Sequence, residues 1–458
     1  MNARSDLVPC SGRRPPRATG TVSGRGGAGR RACCLLALAA ALTLLLPAVL
    51  PQAAAAGTSS PLPALLGTHM VNGNVGWAVT HTQLLRTANG GRVWYDLTPA
   101  GTSGAPIEDE ATTDYASTGG RPANLAVVGS AAAWLVVPAT SGLTVYASTD
   151  AGAHWSGAAL ALDTGGNEPG ILGVHFVDSH HGWLAVTLGG GAAGSMDEEL
   201  YASIDGGATW HLASGSLTTG PGAGHIPLGG IKTGFGFAGT RHGWLTGASH
   251  ALGVWLYTSG NAERTWHTAR LSAPGGTALA RMLHAYPTTL PPTFIGARKG
   301  FLPVFGSTGT SLLTDFFVTF NGGTTWRPTA AIVTRSTWPL VWGWPDTRHG
   351  FESDGKKLDT TANGGHTWRV MALPKKIRPI RQIDFGTRSI GWAIVYGKLW
   401  KTRNGGHAWT KLAASLVSPW PDRRAAVNRR RRPRTERGAG GRDPGSRPAA
   451  RSRRSRCR

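Results

Sequence analysis

Between residues 62 and 415 the apolar positions recur with a period of two over short runs, and Gly, Asn, Asp or Ser punctuates nearly every run. The stretch 380–415 shows the unit. "IRQIDF" alternates and predicts a first strand, "GTRS" a turn, "IGWAIVY" a second strand, "KLWKT" a third, "RNGG" a turn and "HAWTKLAA" a fourth. Helical periodicity is hard to find after residue 60, so the body reads as all-β.

The turn before the fourth strand recurs seven times, at 87–94, 148–155, 203–210, 259–266, 319–326, 361–368 and 402–409, with the pattern [ST]-x-[DN]-x-G-x-x-W. Only the fourth copy loses the Gly, to Glu263. The spacings between the seven Trp are 61, 55, 56, 60, 42 and 41 residues. A second motif keeps step with it: Gly76-Trp77, Ala133-Trp134, Gly182-Trp183, Gly243-Trp244, Gly300-Phe301, Gly350-Phe351 and Gly391-Trp392. Seven residues before each of these aromatics stands another apolar side chain: Met70, Val127, Phe176, Phe237, Phe294, Trp344 and Phe385. One four-stranded sheet cannot bury both of its faces, whereas seven stacked radially can. The pattern therefore predicts a single seven-bladed β-propeller of four-stranded antiparallel blades over 62–415. In each turn the Asx side chain is expected to bond backbone N–H groups two residues on, the Gly to take a positive φ, and the Ser or Thr hydroxyl to bond across the turn. The Trp is expected to pack into its own blade, at a cost of about 3–5 kcal/mol if cut to Ala. Twelve of the 18 Trp occupy the two repeated motif positions, so most of the tryptophan is architectural. The order of motifs leaves open how the ring closes, since the last strand can come from either end of the chain.

Charge changes the picture only at the ends. The formal net charge is +23, but residues 1–31 and 422–458 together hold 22 Arg against four acids, and the remainder carries 25 basic and 20 acidic residues. The body is thus mildly basic, with no nucleic-acid partner expected for it. The two flanks lack an apolar pattern and read as disordered basic ends. Residues 1–29 form a basic leader, which a start codon placed too early would also explain. Residues 30–56 have the layout of a secretory signal peptide: Arg30-Arg31, an apolar run broken by Pro47 and Pro51, and small residues fitting cleavage near Ala56–Gly57. The run is short of the roughly 20 residues that span a bilayer. Export to the cell envelope or beyond is the expectation. The tail 422–458 admits three readings: counter-ion-releasing contact with an anionic surface, a solvated extension, or out-of-frame translation of GC-rich DNA. The cysteines, Cys10, Cys33, Cys34 and Cys457, all lie outside the body, so no disulfide framework or Cys-based zinc site is available in it.

The eight-residue turns look like Asp boxes, also called BNR repeats. Together with "IDFGTRSIGWAIV" followed by "TRNGGHAW", they resemble the photosystem II assembly and stability factor family over about residues 62–415. That resemblance implies a seven-bladed propeller acting as a non-enzymatic scaffold that binds a membrane-protein precursor. Asp boxes also occur in sialidases and xyloglucanases, which leaves an extracellular glycoside hydrolase or a glycan-binding protein as the competing reading. This chain has no R-I-P tripeptide, which a sialidase requires, and its length suits one propeller, whereas a xyloglucanase of this type uses two.

Chain direction puts the three-to-four turns on one face with the one-to-two turns. The long insertions, at about 98–124, 187–199, 214–233, 271–292 and 329–341, fall on the other. Binding residues concentrate on variable loops held by a rigid scaffold, so the elaborated face and the channel mouth are the expected site. There, Glu108, Asp109 and Glu110 with Asp114, and Asp197, Glu198 and Glu199, are candidates for a basic partner or a cation, or form solvated loops. Paired carboxylates could also serve a glycosidase if they stood about 5–10 Å apart. Trp338 is a candidate sugar-stacking or protein-contact residue, or is buried under its loop. His180, His181, His242, His349, His366 and His407 mostly lie in repeated turns, which makes them turn residues repeated by ancestry rather than ligands. No H-E-x-x-H, G-x-S-x-G, P-loop or dinucleotide fingerprint is present, and no catalytic residue, cofactor or metal is assigned. The expectation is a monomeric, non-catalytic scaffold for a protein partner, one associated with a membrane included, or for a glycan.

Overall fold

The computed structural model of the chain describes residues 59–102, 107, 121–189, 194–217, 224–249, 251, 253–307, 312–334 and 340–417. The leader, the signal-like segment and the Arg-rich tail lie outside these residues. The fold is an all-β propeller, and strand pairing among the described residues resolves into seven consecutive four-stranded antiparallel units. The seventh contains the strands Gln382–Phe385, Gly391–Val395, Lys398–Thr402 and Thr410–Lys411. Its fourth strand is shorter than the alternation in "HAWTKLAA" suggests.

Each repeated turn is built by the same bonds. The Ser or Thr hydroxyl accepts from the N–H four residues on: Gly91, Gly152, Gly207, Glu263, Gly323, Gly365 and Gly406, at 2.8–3.1 Å. The Asx Oδ1 accepts from the N–H just before the Trp, at 2.8–3.0 Å in all seven copies. The Asx span is therefore four residues, longer than the two expected. Two successive residues take positive φ, as in Gly405 (+68°) and Gly406 (+92°), which explains the paired glycines. Every such turn also donates a backbone N–H to a one-to-two turn of its own unit, for example Gly206 to His180 O and Gly405 to Ser389 O, both at 2.9 Å. Both sets of turns therefore share one face, as chain direction requires.

The other two motifs couple neighbouring units. Phe176 of the third unit stacks on Trp134 of the second (centroids 3.7 Å apart, planes 5° off parallel). Phe237 stacks likewise on Trp183 at 3.7 Å, Trp344 on Phe301 at 3.5 Å and Phe385 on Phe351 at 3.5 Å. The Gly of each Gly-aromatic pair is the floor beneath the ring: a Cβ at Gly182 would lie 2.3 Å from Phe176. The repeated Trp of the second strand thus reaches the next unit. In three of the five copies that carry Trp the indole N–H bonds there to the repeated turn: Trp134 to Gly206 O at 2.8 Å, Trp183 to Glu263 Oε2 at 3.0 Å and Trp392 to Gly90 O at 3.1 Å. The turn Trp are internal as expected where they are fully buried, Trp94 at 0% exposure and Trp409 at 3%.

Each unit keeps its own four strands, and side-chain bonds join the seventh unit to the first. On the inner strand of the seventh unit Gln382 Oε1 accepts from Thr68 N (2.7 Å) and Nε2 donates to Thr68 O (2.6 Å). Asp384 accepts from Met70 N. Lys401 and Trp392 both donate to Gly90 O, and the ammonium sits 4.4 Å over the indole ring. A clasp then adds to the outer rim. Ser415–Val417 pairs parallel with Val93–Tyr95 of the first unit and antiparallel with Ser59–Pro61. Both ends of the described chain therefore lie on the first unit.

The described residues hold one α-helix, Ala278–His284, capped by Thr277 and set in the insertion at 271–292. Leu279, Met282 and Leu283 bury its apolar face against the fourth and fifth units. The first strand of the fifth unit is broken at Pro291-Pro292, and its leading piece, Thr288–Thr289, pairs with the second strands of both the fourth and fifth units.

Candidate functional site

The inner strands enclose a central cavity of about 550 Å³, lined by side chains from six units, among them His69, Arg121, His175, Phe235, Pro291 and Trp342. The residue before each repeated inner apolar position belongs to one ring: His69, Ala126, His175, Gly236, Thr293, Gly343 and Asp384. The first five line the cavity. Strand alternation is the reason: the apolar residue turns into the seam between units, so its neighbour turns toward the axis. Arg121 enters from the segment leading into the second unit, and the ring of Pro122 beside it packs on Gly67 of the first.

Burial dominates the electrostatics here. Burial, with the Arg121 guanidinium adding to it, lowers the His69 imidazole to about 3 and His175 to about 4. Both rings are therefore neutral near pH 7. His175 Nε2 lies 3.2 Å from Phe237 O, which fixes its proton on Nε2 and leaves Nδ1 as the acceptor. Burial lifts Asp384 to about 6, against the opposing pull of Arg121 and the Met70 N–H. At the repeated-turn end of the cavity, Asp178 accepts from the N–H groups of His180 and His181 at 2.7 and 2.8 Å. Those bonds outweigh its slight desolvation and hold it at about 2.

Of the residues singled out from sequence, Glu108, Asp109, Glu110, Asp114 and Trp338 lie outside the described residues. The other three do not form an open acidic loop. The third strand of the third unit begins at Glu198, whose pairing with Thr187 turns its side chain inward, leaving it 2% exposed. Burial pushes its carboxyl up to about 8, with Lys232 opposing. Asp197 and Glu199 are half-buried; the Asp197 carbonyl accepts from Leu188 N at 3.1 Å, and Glu199 accepts from the Tyr201 hydroxyl at 2.5 Å. Lys232, also buried, donates to Met196 O (2.6 Å) and Leu228 O (2.9 Å) and so ties two insertions together. His181 and His349 pair with the Asp of their own turns, at 2.9 and 2.8 Å, in keeping with a turn role. Among the described residues no group of three or more His, Cys, Asp or Glu is placed to hold a metal ion.

A paired carboxylate does occur elsewhere. Glu352 and Asp359 face each other across strands of the sixth unit, 0% and 1% exposed, with Lys357 Nζ 2.8 Å from Asp359. Burial and the Asp359 charge hold Glu352 well above the carboxylate range. A glycan cannot reach a pair sealed in this way. A groove of about 650 Å³ on the repeated-turn face, between the sixth and seventh units, is lined by Trp368, Arg369, Arg388, Asn404 and His407.

The channel residues were not found from sequence. Their signal is the position just before the repeated apolar one, where His, His and Asp stand out in a ring otherwise made of small residues.

No family model matches the chain, and no curated protein does. Among solved structures it is similar to "YCF48 bound to D1 peptide" (14% identity, TM-score 0.44), covering 75% of this chain and 96% of that one. It is also similar to YCF48 from Cyanidioschyzon merolae (18%, TM-score 0.46; 76% and 99% covered). A third is the GH74 xyloglucanase from Xanthomonas campestris (16%, TM-score 0.48), covering 79% of this chain and 55% of that one.

Proposed function

We propose that this chain is an exported, non-catalytic scaffold, a seven-bladed Asp-box propeller resembling the photosystem II assembly factors, which holds a protein partner on its elaborated loop face. The observation that carries the reading is that the insertions on this face brace one another. Met196 N donates to Leu228 O (3.0 Å), Gly230 N to Gly194 O (2.8 Å) and Gly253 N to Ala285 O (2.8 Å), and Lys232 clamps two of the loops. Insertions braced in this way before binding avoid much of the entropy lost on association. This face also presents Tyr286 and Tyr396, 60% and 74% exposed, and interfaces favour aromatics of this kind as anchors.

The test uses the full chain as bait in membrane extracts. The double variant Tyr286→Ala/Tyr396→Ala is expected to lose the captured protein, and Phe320→Ala, on the repeated-turn face, to keep it. Capture unaffected by the tyrosines, or turnover of polysaccharide or sialoside panels by the purified protein, overturns the reading.

A further inference from the structure

We propose that Asn72 is a site of spontaneous covalent modification, where the Gly73 amide nitrogen attacks the Asn72 side chain and leaves isoaspartate beside the seam that closes the ring. This goes beyond the loop-face reading and does not depend on it. An Asn followed by Gly is the sequence most open to this attack, because no Cβ on the next residue shields its nitrogen. The chain has five such pairs: Asn72-Gly73, Asn89-Gly90, Asn321-Gly322, Asn363-Gly364 and Asn404-Gly405. The fold protects four of them. In each of these repeated turns the Gly N–H is donated to a one-to-two turn: Gly90 to Asn74 O, Gly322 to Arg298 O and Gly364 to Arg348 O at 2.8 Å, and Gly405 to Ser389 O at 2.9 Å. Two of the four also bind the side-chain amide that would leave, Asn321 Nδ2 donating to Thr325 Oγ1 at 3.0 Å and Asn363 Nδ2 to Thr367 Oγ1 at 2.9 Å.

Asn72-Gly73 is the exception. It forms the one-to-two turn of the first unit, and among the described residues Gly73 N and Asn72 Nδ2 donate to no acceptor. Asn72 is exposed, which admits water. Its Oδ1 accepts from Asn74 N and Val75 N, both at 2.9 Å. Those two donors face the oxygen on which negative charge builds during attack, as an oxyanion hole does. The step balances with water alone. Gly73 N gives its proton to solvent and bonds to Asn72 Cγ, the Cγ–Nδ2 bond breaks, and ammonia leaves. Water then opens the cyclic imide at either carbonyl and returns Asp or isoaspartate, the latter with one extra carbon in the backbone. The seam has little room for that carbon. Gly386 of the seventh unit packs so closely that a Cβ on it would lie 3.1 Å from the Asn72 carbonyl carbon. Asn74 O also holds Gly90, whose own carbonyl accepts from Trp392 and Lys401 across the seam.

The experiment incubates the full chain at pH 8 and follows the five pairs by peptide mapping, with electron-transfer fragmentation to tell isoaspartate from Asp. Asn72 is expected to convert at least about tenfold faster than any of the other four, because each of those must first open its turn. In urea the five should convert at similar rates. Gly73 does not take a positive φ, and a methyl on it would meet only Ile390 Cδ1 at 3.7 Å, so Gly73→Ala should keep the fold. That variant is expected to slow conversion at Asn72 by about tenfold, since its Cβ shields the attacking nitrogen. Asn72→Asp keeps the Oδ1 acceptor and should unfold at the urea midpoint of the parent, whereas protein carrying isoaspartate at 72 should unfold earlier. A repeated-turn Asn that converts as fast as Asn72 in the folded parent overturns the proposal, whether or not the variants fold. An advantage of Asn72 that persists in urea also overturns it, as does a rate at Asn72 that Gly73→Ala leaves unchanged. Isoaspartate at 72 with the urea midpoint of the parent overturns its effect on the seam.

Discussion

Glu263 is where a single residue departs from the repeat and the molecule compensates. It replaces the Gly of the fourth turn yet keeps its backbone, with φ +59° after Ala262 at +60°. L-residues adopt this region at a cost. The side chain offsets that cost by accepting the Trp183 indole N–H at 3.0 Å, a role that a backbone carbonyl fills at Trp134 and Trp392. Its backbone carbonyl accepts from Ser214 Oγ, which in turn accepts from Trp266 Nε1. Burial lifts the Glu263 carboxyl to about 7, so above that pH the fold carries a desolvated charge that costs stability. Glu263→Gln keeps an acceptor and removes the charge. Chemical denaturation at pH 8 should find this variant more stable than the parent by about 2–3 kcal/mol, with little difference at pH 4. Glu263→Ala should lose about 1–3 kcal/mol at pH 5, because it leaves a buried indole donor unpaired. That the fourth turn was exceptional was legible in the sequence, where Glu stands for Gly. What Glu263 bonds to was not, because Trp183 is 80 residues away in the chain.

At the scale of the element, the Gly-aromatic pair and the apolar residue seven before it form one device. The inner-strand ring lies flat over the Gly of its own unit and stacks on the aromatic of the preceding one, as Phe176 does on Gly182 and Trp134. Gly182→Ala would push a methyl into that ring, and its expected cost is about 1–3 kcal/mol in urea unfolding, as for other overpacked sites. Gly260→Ala is the control: a methyl added there would meet no atom within 4 Å, and the variant should stay within about 0.5 kcal/mol of the parent. The order and spacing of these motifs could be read directly from the chain. Period-two alternation tells which residues share a face of a strand but not what covers that face, so it did not show that the Trp of the second strand serves the next unit. The strand beginning at Glu198 was missed for a related reason. "DEE" has no apolar alternation, and its pairing with Thr187 comes from the neighbouring strand.

For the whole molecule, closure and pH are the properties that only the assembled ring has. The clasp consists of two three-residue strands, too short to register as periodicity, yet Ser415–Val417 joins Val93–Tyr95 to Ser59–Pro61. Ending the chain at Ala414 should cost roughly 1–2 kcal/mol, the worth of a few rim hydrogen bonds, and thermal unfolding should begin at the first unit, read by proteolysis at its rim. The seam itself remains closed by Gln382, Lys401 and Trp392.

The pH response follows from carboxyls buried within and between the units. Burial raises Glu198 to about 8, Glu263 and Asp315 to about 7 and Asp384 to about 6. A carboxyl whose folded value is raised binds its proton more tightly in the native state. The stability it lends is therefore complete below the ordinary carboxylate range and is lost as pH rises through its folded value. His69 and His175 act in the opposite sense. With folded values of about 3 and 4, they stay neutral in the fold while the unfolded chain charges, so acidification below about 6.5 works against the native state. With Glu352, five raised carboxyls outweigh two lowered imidazoles between pH 8 and 5, so the denaturation midpoint should rise on acidification across that window. Below about pH 4 the carboxyl gain is complete, and protonation of the turn acids Asp178 and Asp205, held at about 2 by their hydrogen bonds, should reverse it. Asp315 isolates one contribution. It is fully buried, its Oδ1 accepts from Thr329 N at 2.9 Å and its Oδ2 has no hydrogen-bond partner. Asp315→Asn should stabilise the protein by on the order of 2–4 kcal/mol at pH 8 and flatten the slope between pH 8 and 5. A parent midpoint that climbs steadily from pH 5 to 8 would mean that these carboxyls are ionised in the fold, and the burial that lifts them would have to be relieved by water between the units.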